Sequence, residues 1–112
     1  MASKMFLFPV AVGNIEALKA AFAEMAGSRE AQCVANRAVM GFTREYACLQ
    51  HTPQGDFLVA YLEGDDLDKA RERSVASDSE YARWLVSTVG PLIGRQPGDG
   101  LPSSEPLADW RA

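Results

Sequence analysis

A short turn between two strand-like segments is the feature that most restricts how this chain folds. Residues 43–51 and 56–63 carry aromatic and apolar side chains in strand-like patterns, and Thr-Pro-Gln-Gly lies between them at 52–55. A four-residue connection that contains proline and glycine is typical of a β-hairpin. The turn also predicts the register, because it places His51 opposite Asp56 and so pairs the residues further along both strands.

The predicted register divides the hairpin into two chemically different faces. One face is small and mostly apolar, which suits closely packed helices. Its pairs are Leu49 with Leu58, Ala47 with Ala60 and Glu45 with Leu62. The other face combines rings with polar groups in cross-strand contact. Its pairs are Gln50 with Phe57, Cys48 with Val59, Tyr46 with Tyr61 and Arg44 with Glu63. We expect the second face to carry any chemistry.

A first strand is predicted over residues 4–12, where apolar side chains occur at both odd and even positions. Such a pattern is typical of a strand covered on both faces. The same run also resembles a short signal peptide, but Pro9 interrupts it and no small-residue cleavage pattern follows. We therefore favour the strand.

Helical segments flank the hairpin. Apolar residues at helical spacing predict one helix from Asn14 to Gly27 and a second from Ser28 to Gly41. The second has a thin apolar stripe, which consists of Ala31, Val34, Ala35 and Ala38.

Two further helices are predicted after the hairpin. Asp65 or Asp66 caps a third helix that runs towards Arg73. A fourth begins at the capping box Ser77-Asp78-Ser79-Glu80, and Gly90-Pro91 is expected to kink or end it. Its predicted inner face consists of Tyr81, Trp84, Leu85, Thr88, Val89 and Leu92.

The order strand, helix, strand, strand, helix predicts an α+β ferredoxin-like domain over residues 1–94, with a split βαβ antiparallel sheet and helices on one face. The other sheet face is too apolar to stay in water, and small proteins often bury such a face in a symmetric dimer. We therefore expect a homodimer through the sheet. Residues 95–112 are predicted to form an extended tail, with a last strand as an option. Its apolar anchors, Leu101, Leu107 and Trp110, predict docking on the domain or on a partner subunit.

Composition excludes several partners. A chain of 112 residues, 47% of them hydrophobic, has the size and balance of one compact domain. Its 11 basic and 15 acidic residues give a net charge of −4, which disfavours binding to nucleic acid and to anionic membranes. No run approaches the roughly 20 apolar residues that cross a bilayer. Cys33 and Cys48 show no disulfide or metal spacing, which indicates reduced thiols and a cytoplasmic location.

Several residues of the hairpin and the C-terminal region resemble a family of small uncharacterised bacterial proteins. They are Glu45, Leu49-Gln50, Thr52-Pro53-x-Gly55-Asp56, Tyr61-x-Glu63-Gly64-Asp65-Asp66, Ser77, Trp84 and Asp109-Trp110. That family is similar to the dimeric α/β-barrel superfamily, which has a ferredoxin-like fold and includes antibiotic biosynthesis monooxygenases. The resemblance implies the fold and a homodimer. It implies no activity, because no catalytic motif of the superfamily maps onto this chain.

Four residues of the mixed face form a candidate ligand-binding set, Arg44, Tyr46, Tyr61 and Glu63. A guanidinium and a carboxylate can orient a ligand while phenols donate hydrogen bonds. Alternatively, Arg44 and Glu63 form an ion pair and the tyrosines pack at the dimer seam. Trp84 is a further candidate, as a ring that lines a cavity, although core packing also explains it.

His51 is the only histidine, which excludes a multi-histidine metal site. We expect it at the hairpin tip, bonded to Asp56. With Tyr46 and Tyr61 it is a candidate for catalytic proton transfer. We expect Glu45 to pair with Arg37.

No metal or cofactor is predicted. The acidic residues Asp65, Asp66 and Asp68 lack calcium-loop spacing and suit helix capping. No phosphate loop, dinucleotide fingerprint or nucleophile triad occurs.

Three hypotheses of function remain open. The first is a dimer that binds a small organic ligand in a cavity beside the sheet. The second is a cofactor-independent, monooxygenase-like enzyme that acts on an aromatic substrate. The third is a structural or interaction module with no small-molecule site. A cavity of ligand size discriminates the third from the other two.

Overall fold

A three-stranded antiparallel sheet with helices along one side makes up the fold. The structure, a computed structural model, describes residues 2–76, 78–96, 99 and 102–111. Its main elements in chain order are β1 (Ala2–Val10), α1 (Ile15–Ala26), α2 (Glu30–Met40), β2 (Phe42–Thr52), β3 (Gly55–Gly64), α3 (Leu67–Ala76) and α4 (Glu80–Trp84). The predicted α+β class is confirmed.

The last strand of the hairpin, β3, lies in the middle of the sheet. β1 and β2 flank it, and both are antiparallel to it. β1 and β2 therefore run parallel to each other and are joined through α1 and α2. The predicted hairpin register is confirmed from Thr52 opposite Gly55 to Arg44 opposite Glu63. A bulge between Phe42 and Arg44 then interrupts the pairing.

The core lies between the sheet and the helices. Leu18 of α1 is the most deeply buried large side chain among the described residues. Alternate positions of β1 and β3 pack in the same cluster, and they include Phe6, Phe8, Val10, Leu58 and Leu62. Because side chains alternate across a strand, the intervening residues face away from the helices.

The first strand begins and ends two residues earlier than predicted. Val10 pairs with Asp56, the second residue of β3. Beyond this pair β1 has no partner in the described part of the sheet, so the chain leaves it. A 3₁₀ turn at Val12–Asn14 then leads into α1.

The apolar stripe predicted for α2 is wrong. The helix buries Cys33 and Met40 instead. The exposed positions include Ala31, Val34, Ala35 and Ala38. Between the two buried residues lies Arg37, whose Nε is 3.4 Å from Oε2 of Glu45 on β2, which confirms the predicted ion pair. The contact of Arg37 with the sheet favours burial of the side of α2 that carries Cys33 and Met40, which apolar spacing alone does not predict.

Side-chain caps begin the two later helices. Asp66 Oδ1 accepts a hydrogen bond from the backbone N–H of Lys69 at 3.1 Å, which confirms its capping role. Ser79 Oγ accepts one from the backbone N–H of Ala82, also at 3.1 Å. The predicted capping box also includes Ser77, which lies outside the described residues.

The last helix changes its winding along its length. After α4 the chain forms a π-helical turn at Leu85–Val89 and a 3₁₀ turn at Gly90–Ile93, and Gly94 ends the run with a positive φ. The predicted disruption at Gly90-Pro91 is confirmed, because proline supplies no N–H for regular helical pairing. Thr88, predicted on the inner face, is exposed.

The described part of the tail, residues 102–111, has no regular secondary structure. Its anchors Leu107 and Trp110 are 95% and 93% exposed. The third predicted anchor, Leu101, lies outside the described residues. In the part of the chain that the structure covers, no helix combines the length and apolar character needed to span a membrane.

The close approach of two glycines supports the junction of β3 with α2. A Cβ on Gly64 would lie 2.6 Å from the carbonyl oxygen of Gly41 and 2.9 Å from Cδ2 of Leu67. We expect Gly64→Ala to lower the free energy of unfolding by about 2 kcal/mol, as overpacking typically does, measured by urea denaturation. Gly13→Ala is the control, because no atom lies within 4 Å of its added Cβ. Equal stability of the two variants would contradict the close approach.

Candidate functional site

The sheet face without helices is the first candidate surface, and we call it the open face. Register aligns its residues in four rows across the strands. The rows are Ser3-Glu63-Arg44, Met5-Tyr61-Tyr46, Leu7-Val59-Cys48 and Pro9-Phe57-Gln50. Met5, Leu7 and Tyr46 are each more than half exposed in the single chain. Rings and aliphatic side chains therefore form a continuous surface with polar groups at one end.

The polar end of the open face centres on Glu63. The Tyr61 hydroxyl donates a hydrogen bond to Glu63 Oε1 at 2.7 Å. Arg44 Nη1 lies 3.8 Å from the same oxygen, and Arg44 Cζ lies 5.7 Å from the Tyr61 ring centroid. The expected Arg44–Glu63 ion pair is thus present. The Arg44 side chain is 60% exposed, so the pair is loose and solvent-screened.

Tyr61 is held as a hydrogen-bond donor. Its hydrogen bond to the Glu63 carboxylate, together with desolvation and the charge of that carboxylate, raises the pKa of Tyr61. Ser3 and the Arg44 charge act in the opposite direction but more weakly. A phenol with a raised pKa donates hydrogen bonds but does not accept a proton at neutral pH.

The remaining predicted site residues lie elsewhere. His51 Nδ1 lies 2.6 Å from Asp56 Oδ1 at the hairpin end, as expected. Trp84 lies in the helical layer, where the Arg29 guanidinium is 4.4 Å from its ring centroid and the Tyr81 ring is 5.7 Å away. The structure therefore brings Arg44, Tyr46, Tyr61 and Glu63 onto one face but does not bring Trp84 or His51 to them.

A cavity on the helical side of the sheet is the second candidate site, and its lining is not among the sites predicted from the sequence. Its volume is about 120 Å³. The lining residues are Lys4, Phe6, Met40, Phe42, Leu62, Leu67, Ala70, Pro102 and Ser103. They come from segments far apart in the chain. The one available signal is Lys4, a charged residue at an inward-facing position of β1.

Lys4 gives the cavity its polarity. Its Nζ lies 2.9 Å from Oδ1 of Asp68, whose side chain is 91% exposed. The lysine stem lines an apolar space while its ammonium group remains at the surface. Because an exposed ion pair contributes little stability, a competing anion can replace Asp68 at low cost. The cavity therefore suits an apolar body that carries one negative group.

The size of the cavity limits its ligand. An apolar cavity of about 150 Å³ accommodates benzene, whereas drug-sized ligands occupy roughly 300–1,000 Å³. A volume of about 120 Å³ therefore suits one aromatic ring or a short acyl chain.

Acidic and thiol groups elsewhere have structural partners. Asp66 caps α3 and Asp68 pairs with Lys4. Burial, followed by a hydrogen bond with the Cys33 thiol, raises the pKa of Tyr81. Within residues 2–76, 78–96, 99 and 102–111, no three His, Cys, Asp or Glu side chains converge as metal ligands would.

Comparison with known proteins gives no family assignment. No protein-family model matches the chain, and no curated protein matches it significantly. The choice of function therefore depends on the open face and the cavity.

The raised pKa of Tyr61 predicts a specific response to Glu63→Gln. The variant removes the carboxylate, so we expect the pKa of Tyr61 to fall towards its ordinary value of 10.0. Ultraviolet titration of each protein against its Tyr61→Phe counterpart isolates this phenol. Glu16→Gln on α1 is the control. An unchanged titration in Glu63→Gln would contradict the hydrogen bond.

The same shift sets the sign of a pH effect on stability. Because the pKa of Tyr61 is raised on folding, the protonated phenol is the favoured form. Its contribution is complete below the pKa of an unfolded tyrosine and is lost as the pH rises through the folded pKa. We expect Tyr61→Phe to show a smaller loss of stability than the wild type over this alkaline interval.

Proposed function

We propose that this chain is a homodimeric, ferredoxin-like protein that binds a small, mostly apolar organic ligand. In this proposal the open faces of two copies pack together, and each copy holds one ligand in the cavity beside its own sheet. The observation that carries the proposal is the contrast between the two faces of one sheet. Helices cover one face and leave a cavity, whereas Met5, Leu7 and Tyr46 on the other face are each more than half exposed.

The exposure of the open face supports the homodimer. Met5, Leu7 and Tyr46 are 55%, 55% and 56% exposed and belong to adjacent rows. Contiguous apolar surface of this kind marks an interaction site in soluble proteins. A second copy is the partner we propose, because a twofold axis places this surface against the same surface of the other copy.

The strand order supports the ferredoxin-like fold. Its central β3 between two parallel outer strands is the arrangement expected of a split βαβ unit. The resemblance to dimeric α/β-barrel proteins implies the same face-to-face contact between two sheets.

The lining of the cavity supports the ligand class. Phe6, Leu62 and Leu67 supply apolar walls, and Lys4 supplies the cation at the rim. An aromatic or short aliphatic carboxylate satisfies both features. In the dimer, Arg44, Tyr46, Tyr61 and Glu63 would contact the partner copy rather than this ligand.

Among the described residues, the contacts of the candidate proton-transfer groups do not favour the enzyme hypothesis. The Tyr61 hydroxyl donates a hydrogen bond to Glu63. His51 lies at the hairpin end of the strands, on the opposite face of the sheet from Tyr46. Five residue steps from Tyr61 to Asp56, the partner of His51, correspond to about 17 Å along a strand. A single substrate of the size that the cavity holds does not bridge these groups.

A lysine on the open face tests the homodimer. We expect Leu7→Lys to yield a monomer, because the interface would then bury an unpaired ammonium group from each copy. Val39→Lys on α2 is a matched control, since Val39 is 57% exposed and Leu7 is 55% exposed. Sedimentation equilibrium measures both. A monomeric wild type at micromolar concentration would overturn the homodimer.

The native thiols provide a second readout of the same contact. Cys48 lies on the open face and Cys33 is buried. We expect the rate of Cys48 modification by a disulfide reagent to increase on dilution, as the dimer dissociates. The Cys48→Ala variant shows how much of the thiol modification comes from Cys48.

Two small probes test the cavity. At about ten times the dissociation constant, benzoate or toluene is expected to raise Tm by roughly 5 °C, since such binding adds about 1.4 kcal/mol. Lys4→Met is expected to weaken benzoate binding but not toluene binding, and Lys19→Met, at another exposed lysine, is the control. Ala70→Leu fills the cavity and is expected to abolish both shifts. If neither probe binds the wild type, the interaction-module hypothesis is favoured.

A further inference from the structure

The two tail anchors make no packing contact that hides them in their own chain. Leu107 and Trp110 have the highest exposures among the large apolar side chains of the described residues, at 95% and 93%. A side chain as large as tryptophan buries about 150–250 Å² when it packs, so leaving it in water is unfavourable. The described residues of the chain leave both side chains open to a partner surface.

The ends of the described tail lie beside the open face. Pro102 lines a shallow surface space together with Leu7 and Pro9, two β1 residues of the open face. At the other end of the tail, Asp109 is the main cause of the raised pKa of Arg111, and Tyr61 and Glu63 also contribute. The tail thus starts and ends at the border of the surface proposed to meet a second copy.

The open face alone is small for a stable dimer. Three strands about 4.8 Å apart and six residue steps of about 3.3 Å give it an outline of roughly 14 Å by 20 Å, or about 300 Å². Side-chain relief increases this area, but a stable interface buries about 800 Å² on each partner. The proposed homodimer therefore needs contact area that the sheet does not supply.

We propose that residues 102–111 of each chain dock on the second copy in the homodimer, with Leu107 and Trp110 as the anchoring side chains. This inference rests on the proposed homodimer. The seven residue steps from Ser103 to Trp110 extend up to about 25 Å. This length is enough for the tail to pass the edge of the contact between the two sheets and reach the partner. A twofold axis doubles the contribution, because each tail then packs on the other chain.

The assignment of the tail to the partner agrees with its polar contacts. The Arg111 guanidinium lies 3.3 Å from Asp109 within the same tail. The side-chain hydrogen bonds that Arg111 donates both go to Asp109.

Trp110→Ala in the full chain tests the proposal. We expect the dissociation constant of the dimer to rise about thirtyfold, as expected for a tryptophan that anchors an interface, measured by sedimentation equilibrium. Removal of residues 104–112 should have at least the same effect. Val12→Ala, which truncates another exposed apolar residue outside the tail, is the matched control and should leave the constant unchanged.

Fluorescence quenching supplies an independent measurement. The wild-type signal minus that of Trp110→Ala isolates Trp110 from Trp84. We expect acrylamide to quench Trp110 less at concentrations where the dimer forms than after dilution to the monomer.

The outcomes separate this inference from the proposed function. A wild type that is monomeric overturns both. A dimer whose dissociation constant is unchanged by Trp110→Ala and by the truncation overturns only the role of the tail. A fall in Tm that is the same at all protein concentrations, with no change in dimer affinity, would show docking in cis and also overturn it.

Discussion

The turn at Thr52–Gly55 is the constraint on which the rest of the structure depends. The Thr52 hydroxyl donates to the carbonyl oxygen of Gly55 at 2.7 Å and accepts from the backbone N–H of Gln54 at 3.2 Å. Gly55 has a φ of 130°, which a residue with a side chain rarely adopts. This turn sets the register of β2 on β3. A slip of one residue would exchange the two faces of β2 and place Tyr46 against the helices.

The same alternation gives the two faces different roles. On the helical side, alternate apolar residues meet α1 and the later helices in a continuous core. The packing is incomplete next to Lys4, where an inward-facing lysine extends to Asp68 at the surface. On the other side, the rows of rings and aliphatic groups include the exposed side chains of Met5, Leu7 and Tyr46. The proposed ligand binding and the proposed self-association therefore require no separate elements, because one sheet provides a surface for each.

The candidate residues differ in how far sequence reasoning could place them. Arg44, Tyr46, Tyr61 and Glu63 share a face because a strand has a period of two residues and the turn sets the pairing, which needs no tertiary information. Trp84 was harder to place, since a helical residue can face the sheet, a neighbouring helix or solvent. Its contact with Tyr81 lies within α4, whereas its contact with Arg29 depends on how α4 packs on the loop before α2.

By itself, the sequence determined the order of the elements, the hairpin register and the composition of each hairpin face, because these follow from a local turn and from short periodic patterns. It also indicated that Glu45 pairs with Arg37, since a nearby cation stabilises a carboxylate on the helix-facing side of a strand. Only the tertiary structure decided which side of α2 is buried and that a cavity remains beside Lys4. Both depend on contacts among segments far apart in the chain, which no local pattern records.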